Sequence, residues 1–124
     1  PYVGMLDVEV VHFREGDVLV RLPYRELLLR PGGTICGPAI MALADIALYG
    51  VALSHVGKVP LAVTTDLTVH FLAKPHPGDL VGHARTLKAG KRLIIGECEV
   101  RAEPDDQRVA HVVGTYSVPP AQPG

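Results

Sequence analysis

Asp45 stands out in this sequence because it is the one carboxylate in the long apolar segment GGTICGPAIMALADIALYG, residues 32–50. An acid in apolar surroundings costs free energy unless it has a partner or a task. Two roles fit Asp45. It is either a nucleophile or general base, or a structural acid that is hydrogen-bonded to a strand N–H or a threonine hydroxyl.

A second candidate lies eight residues earlier, where Gly37 and Pro38 begin a predicted helix. Backbone N–H groups at a helix start attract an anion or a polarised oxygen. Gly37 has no side chain to block the approach of a carbonyl oxygen, so its N–H suits an oxyanion hole. The simpler alternative is a tight loop through Gly32, Gly33 and Gly37. Because Gly37 and Asp45 are two helical turns apart, they cannot meet along one helix, and a strand or a second subunit must complete a shared site.

The remaining reactive residues give weaker signals. Cys36 also stands at the helix start, where the dipole favours a thiolate, but no histidine can be placed beside it. The six histidines show no ligand spacing, so no metal site is predicted. The basic turn KAGKR is either a solvated hairpin or a phosphate contact at the rim of a site, through Lys88, Lys91 or Arg92.

The apolar periodicity predicts the elements that must position these residues. Residues 5–23 read as a hairpin with Glu15-Gly16-Asp17 as its turn, and Pro38 to His55 reads as one buried helix that Gly57 ends. Apolar and polar residues alternate in four further segments, which predicts strands at 61–75, 79–90, 91–103 and 108–118. The short spacing between these strands predicts that consecutive ones are antiparallel neighbours. In the first strand, the alternation puts Thr64 and Asp66 on the face opposite Leu67. The stretch RELLL, residues 25–29, fits either a helical turn or a strand.

This order of elements predicts an α+β fold in one domain, residues 1–124, with one long buried helix wrapped by a curved antiparallel sheet. A sheet of five or six strands with one helix leaves an edge uncovered. Pairing of that edge with a second copy predicts a homodimer.

Composition excludes several classes of protein. Without tryptophan, with 5% aromatic residues and with a net charge of -1, the chain does not suit nucleic-acid binding. The apolar run 38–53 is short for a membrane span and carries Asp45, and no signal peptide is evident at the start. Two cysteines without C-x-x-C spacing do not predict a disulfide scaffold. These absences predict a cytoplasmic protein without a membrane partner.

Three segments together resemble the hot-dog-fold acyl-CoA thioesterases, in the group related to phenylacetic-acid-degradation and 4-hydroxybenzoyl-CoA thioesterases. The first is the pattern G-x-x-x-G-x-x-x-x-A-L-A-D from Gly33 to Asp45. The second is TTDLTVHFLAKPHPGDL, residues 64–80, and the third is LKAGKRLIIGECEV, residues 87–100, followed by VAHVVGTY. The resemblance covers residues 30 to 118.

The resemblance assigns roles in a site at a dimer interface. It implies that the Gly37 N–H polarises a thioester carbonyl and that Asp45 attacks this carbonyl or activates water. It implies that Thr64 of the partner subunit holds the water or the carboxylate. The implied substrate is a small or medium acyl-CoA, aliphatic or aryl, and the implied assembly is a homodimer or homotetramer. Thioester hydrolysis of this kind requires no metal or redox cofactor.

The sequence departs from the family pattern at two places. The family commonly has His-Gly-Gly at the helix start, where this chain has Cys36, Gly37 and Pro38, and its upstream polar position, often Asn, is Arg30. These three flanking residues, Arg30, Cys36 and Pro38, are predicted to shape substrate binding. The departures leave a non-catalytic acyl-CoA binder as the alternative. A hydratase or dehydratase of the same fold is less favoured, since it needs the missing histidine.

Overall fold

The computed structural model describes residues 8–23, 29–30, 34–35, 37–56 and 63–119. Eight strands and one helix occupy these ranges. In chain order the elements are β1 (Glu9–Arg14), β2 (Asp17–Leu22), β3 (Leu29–Arg30), β4 (Thr34–Ile35), α1 (Gly37–Val56), β5 (Val63–Phe71), β6 (Leu80–Ala89), β7 (Leu93–Ala102) and β8 (Gln107–Ser117).

Six of the strands form one antiparallel sheet in the order β1-β2-β6-β7-β8-β5, and β3 pairs with β4 alone. The prediction that consecutive strands are neighbours is therefore wrong for β5 and β6. Strand β5 pairs with β8, and β6 pairs with β2. The link of residues 72–79, which contains Pro75 and Pro77, carries the chain between the two positions. The N–H groups of Leu72 and Ala73 both donate to the Val109 carbonyl, which turns the chain as it leaves β5.

The helix lies on one face of this sheet and buries one side of itself. Its buried residues follow a helical repeat of three and four positions: Ala39, Ile40, Leu43, Ala44, Ala47, Leu48, Val51 and Ala52. The inward side chains of β2, β6, β7 and β8 complete the core. On the opposite side of the helix, Met41 is 39% exposed, and Ile46 and Tyr49 are half-buried. A helix buried all round was predicted, whereas the described residues cover mainly the side that faces the sheet.

Strand glycines set how closely the helix approaches the sheet. Gly96 of β7 and Gly114 of β8 are paired across the strands, and both lie under Leu48. A Cβ on either glycine would lie 3.0 Å from a Leu48 methyl group. Gly82 of β6 lies under Leu43 in the same way, with 3.3 Å between an added Cβ and Leu43 Cγ. The helix thus packs against backbone in the centre of the sheet.

The first hairpin confirms the predicted turn. Gly16 has a φ of 73°, a conformation that glycine adopts without strain. Its N–H donates to the Ser54 hydroxyl at 2.9 Å, so the turn is tied to the last turn of the helix.

The α+β fold with one helix against a curved antiparallel sheet is confirmed. Of the undecided stretch RELLL, Leu29 forms a strand and residues 25–28 lie outside the described residues, as does the predicted helix stop Gly57. By length and composition the segment Gly37–His55 would suit a membrane span, a property that core helices share. Here its buried side faces a sheet.

Replacing Gly96 with alanine should lower the free energy of unfolding by about 1–3 kcal/mol, the usual cost of overpacking a core. The added Cβ would crowd Leu48 Cδ2 at 3.0 Å and the Arg85 carbonyl oxygen at 3.1 Å. Urea unfolding measures the change. In a Leu48→Ala background the same substitution should cost less, because the crowded methyl group is gone. An equal cost in both backgrounds would contradict this packing.

Candidate active site

Asp45 has hydrogen-bond partners on two strands. The Tyr116 hydroxyl donates to Asp45 Oδ1 at 2.7 Å, and the Thr64 hydroxyl lies 3.4 Å from the same oxygen. The Tyr116 oxygen is also 3.2 Å from the Asp45 backbone carbonyl. Among the described residues, no hydrogen bond reaches Oδ2. One carboxylate oxygen is therefore anchored by the sheet.

The register of the sheet explains why these side chains meet. Thr64 pairs with Tyr116, and Tyr116 pairs with Ile94, so all three side chains are on the face that carries the helix. Leu67 is on this face as well, since it pairs with the inward Gly114. In a regular strand, however, Thr64 and Leu67 would point to opposite faces, because they are three residues apart.

A β-bulge between Thr64 and Asp66 removes this conflict. The register shifts there, and Thr65 is the extra residue. The predicted alternation, which put Thr64 beside Asp66 on the face opposite Leu67, is therefore wrong for Thr64. The bulge turns the hydroxyl towards Asp45, while Asp66 pairs with Thr115 on the outer face.

Thr64 reaches Asp45 of its own chain. The resemblance implied that this hydroxyl comes from a partner subunit. The structure instead brings it to the carboxylate within one chain, because β5 follows the helix directly and its first residues lie beside Asp45. A second copy is not needed for this contact.

Tyr116 is the residue that the sequence analysis missed. Its side chain is buried, 1% exposed, and burial raises the pKa of its hydroxyl, with the hydrogen bond to Asp45 adding to the effect. The hydroxyl therefore stays protonated and donates to the carboxylate. The available signal was its inward position in the alternating strand VVGTYS, because a buried tyrosine O–H nearly always has a partner.

Gly37 and Pro38 occupy the first turn of α1, as predicted. Pro38 is exposed, and the nearest ring to Gly37 is Phe71 at the far end of β5, 3.6 Å from where a Gly37 Cβ would lie. The eight-residue rise from Gly37 to Asp45 is about 12 Å. Within one chain, the Gly37 N–H and the Asp45 carboxylate cannot act on the same carbonyl group.

The predicted binding residues have separate positions. Lys88, Lys91 and Arg92 are exposed around the β6–β7 turn, at the end of the sheet where Ile94 pairs with Tyr116. The backbone of Arg30 pairs with Thr34 in the small sheet. Cys36 lies outside the described residues.

Cys98 of β7 is a core residue. Its side chain is fully buried, and burial raises the pKa of the thiol to about 12. A thiol with this pKa does not act as a nucleophile near neutral pH.

The described geometry suits chemistry at a carbonyl carbon. A half-buried carboxylate with one oxygen anchored has a defined orientation, which a nucleophile or general base requires. The anchoring groups are a tyrosine and a threonine hydroxyl, both uncharged, so these hydrogen bonds orient the carboxylate without placing a positive charge beside it. The structural and the chemical roles of Asp45 are thus compatible.

Comparison with known proteins gives consistent matches. Residues 32–109 match the family model of the thioesterase superfamily. A protein of Saccharolobus solfataricus, provisionally named an esterase, is 30% identical over 91% of this chain and 79% of its own length.

Two solved structures extend the comparison. A protein of Silicibacter sp. TM1040, provisionally named a thioesterase, is 37% identical, with a TM-score of 0.82 over 96% of this chain and 88% of its own. A mutant of the phenylacetic acid degradation protein of Thermus thermophilus is 24% identical, with a TM-score of 0.86 over 96% and 99% of the two chains, and this likeness concerns the fold. The matched segment contains the helix, Asp45 and Thr64. The chain therefore belongs to the thioesterase superfamily and has the hot-dog fold.

Proposed function

We propose that this chain hydrolyses a small or medium acyl-CoA thioester, aliphatic or aryl, to the free acid and CoA. Family membership supports a hydrolase of the thioesterase class. The observation that carries the proposal is that Tyr116 holds Asp45 Oδ1, while no described residue donates a hydrogen bond to Oδ2. A carboxylate held in this way can attack the thioester carbonyl or take a proton from water.

The proposed oxyanion donor is the Gly37 N–H of a second copy. Among the described strands, β5 is an edge of the six-stranded sheet and pairs with β8 alone. Asp45 lies beside the Thr64 end of this strand, and Gly37 lies beside the Phe71 end. If β5 pairs antiparallel with β5 of a partner, the Thr64 end of one strand lies beside the Phe71 end of the other. Gly37 of the partner then approaches Asp45.

Exposed apolar side chains support pairing at this edge. Phe71 is 53% exposed and Leu72 50% exposed at the end of β5, and Met41 is exposed on the adjoining helix. A second copy would cover them, and it would make two equivalent sites by symmetry. We propose a homodimer, or a tetramer of two such dimers. The cytoplasmic location predicted from the sequence stays a prediction.

We propose that the acyl group and the CoA phosphates occupy opposite sides of the reacting carbonyl. The exposed apolar side of the helix would line the acyl pocket. The basic turn with Lys88, Lys91 and Arg92 is at the same end of the sheet as Tyr116 and Thr64 and is open to solvent. Its charges suit phosphate groups at the mouth of the site.

Asp45→Asn should lower free-thiol release from acyl-CoA at least about 100-fold, since it removes the nucleophile or base and nearly preserves the shape. A panel of aliphatic and aryl acyl-CoAs is the assay. The matched control is Asp66→Asn, an exposed acid on the outer face of β5, which should keep the parent rate. A parent protein that is inert on every thioester would contradict hydrolysis and would favour the acyl-CoA binder.

Mixed dimers test whether the site is shared. Gly37→Pro removes the proposed oxyanion N–H at a helix position that tolerates proline, and it should lower kcat about 100-fold or more. A heterodimer of Asp45→Asn with Gly37→Pro has one intact site and one doubly altered site if the two residues come from different chains. It should recover about half of the parent activity. Inactive heterodimers, purified with two different tags, would show that the sites are not shared.

Tyr116→Phe should lower kcat about tenfold or more and leave KM nearly unchanged. The hydroxyl holds Asp45 Oδ1 and not the substrate, and a hydrogen bond to a charged group contributes about 1.5–3 kcal/mol. Tyr49→Phe is the control, because Tyr49 is a half-buried neighbour of the Tyr116 ring. Equal effects of the two substitutions on kcat would mean that the Tyr116 hydroxyl does not position the carboxylate.

A further inference from the structure

Three potential metal ligands meet on the outer face of the sheet, away from the helix. His12 of β1 pairs with Leu19 of β2, and Leu19 pairs with His83 of β6, so the two imidazoles flank one strand on the same face. Asp17, two residues before Leu19, is on this face as well. Asp17 Oδ1 is 2.9 Å from His12 Nε2 and 2.6 Å from His83 Nε2.

We propose that His12, Asp17 and His83 form a binding site for a divalent transition metal of the Zn²⁺ type. The potential donor atoms lie within 4.8 Å of one another. Two neutral imidazoles and one carboxylate are ligands that Zn²⁺ prefers, and three protein ligands leave a fourth position for water. The site is independent of the proposed hydrolysis, since its side chains point away from the sheet face that carries Asp45.

Small movements would convert the cluster into a coordination sphere. Donor atoms of a tetrahedral zinc site with bonds of 2.0–2.1 Å lie about 3.3 Å apart. The nitrogen of His12 must therefore move about 0.4 Å and that of His83 about 0.7 Å away from the carboxylate oxygen. The three side chains are half-buried, which leaves them this freedom, while the hydrogen-bonded strands fix their backbones.

Arg85 opposes metal binding and thereby offers a sharp test. Its guanidinium nitrogen is 3.3 Å from His83 Nδ1, so this nitrogen accepts a hydrogen bond and the proton of the neutral ring is on Nε2. Metal binding at Nε2 moves the ring proton to Nδ1, which then needs an acceptor. Arg85 must turn aside, and its cross-strand partner Glu97 lines a shallow cavity beside it.

A bound metal would tie an edge strand to the interior of the sheet. Within the described part of the sheet β1 pairs with β2 alone, and most of its side chains are exposed. A metal shared by His12 and His83 bridges from β1 across β2 to β6. Because the ligands come from three strands, an unfolded chain would bind it weakly, and metal binding would stabilise the folded state.

The first experiment is metal titration of the whole protein after treatment with a chelator. Isothermal titration with Zn²⁺ should show one strong site per chain, and Co²⁺ should give the intense visible bands of a four-coordinate site. His12→Ala, His83→Ala and Asp17→Asn should each weaken Zn²⁺ binding at least about tenfold. His76→Ala, which alters an exposed loop histidine outside the cluster, should not change it. Thermal stability should rise with Zn²⁺ in the parent and in His76→Ala but not in the three ligand variants.

Arg85→Gln should strengthen Zn²⁺ binding severalfold, because it removes a positive charge and provides a carbonyl acceptor for His83 Nδ1–H. No strong Zn²⁺ site in the parent would overturn the proposal. The same conclusion follows if the His83→Ala and His76→Ala variants bind equally, or if Co²⁺ shows thiolate charge-transfer bands that indicate a cysteine site.

Discussion

The close approach of α1 to the centre of the sheet is the constraint on which the site depends. Leu48 lies on the paired glycines Gly96 and Gly114, so helix and sheet meet there at backbone distance. This contact fixes the height and rotation of the helix above β7 and β8. Asp45, three residues before Leu48, is then held within hydrogen-bond reach of Tyr116, two residues beyond Gly114 on the same face. A core packing contact thus sets the orientation of the carboxylate.

The two faces of the sheet carry different chemistry. The inner face carries the apolar core, with the Tyr116 and Thr64 hydroxyls beside Asp45 and the Thr86 hydroxyl beside His55 of the helix. Asp45 therefore meets uncharged donors on this face. The outer face carries ion pairs and histidines that remain in contact with water, such as the His12–Asp17–His83 cluster. Because side chains alternate along each strand, the same strands serve both faces. A substitution among the side chains of one face can therefore be made with little effect on the side chains of the other face.

The edge strand β5 links the fold to the proposed assembly. One end of this strand lies beside the Asp45 carboxylate and the other beside the helix start. The carboxylate and the proposed oxyanion donor, Gly37 N–H, are therefore separated along the strand. The rise of about 12 Å between Gly37 and Asp45 follows from helix geometry and cannot be shortened within one chain. Antiparallel pairing with a second copy is the arrangement that brings opposite ends together. On this view the dimer is part of the catalytic site.

The sequence by itself determined the α+β fold class, the helix and the six strands of the main sheet, because apolar period and turn residues are local signals. It also indicated Asp45 and Gly37, since a lone acid and a glycine at a helix start are visible without knowledge of contacts. The family pattern added Thr64, although the alternation around it indicated the wrong face.

Tertiary structure decided the features that rest on register and on distant contacts. The bulge at Thr65 turned Thr64 inward, and the crossover placed β5 beside β8, which brought Tyr116 to Asp45 from 71 positions away. The histidine cluster had no sequence signal for the same reason, since His83 and Asp17 are 66 positions apart. Periodicity shows which residues share a face of one strand. Only the pairing of strands shows which residues meet across the sheet, because that pairing is a property of the whole fold.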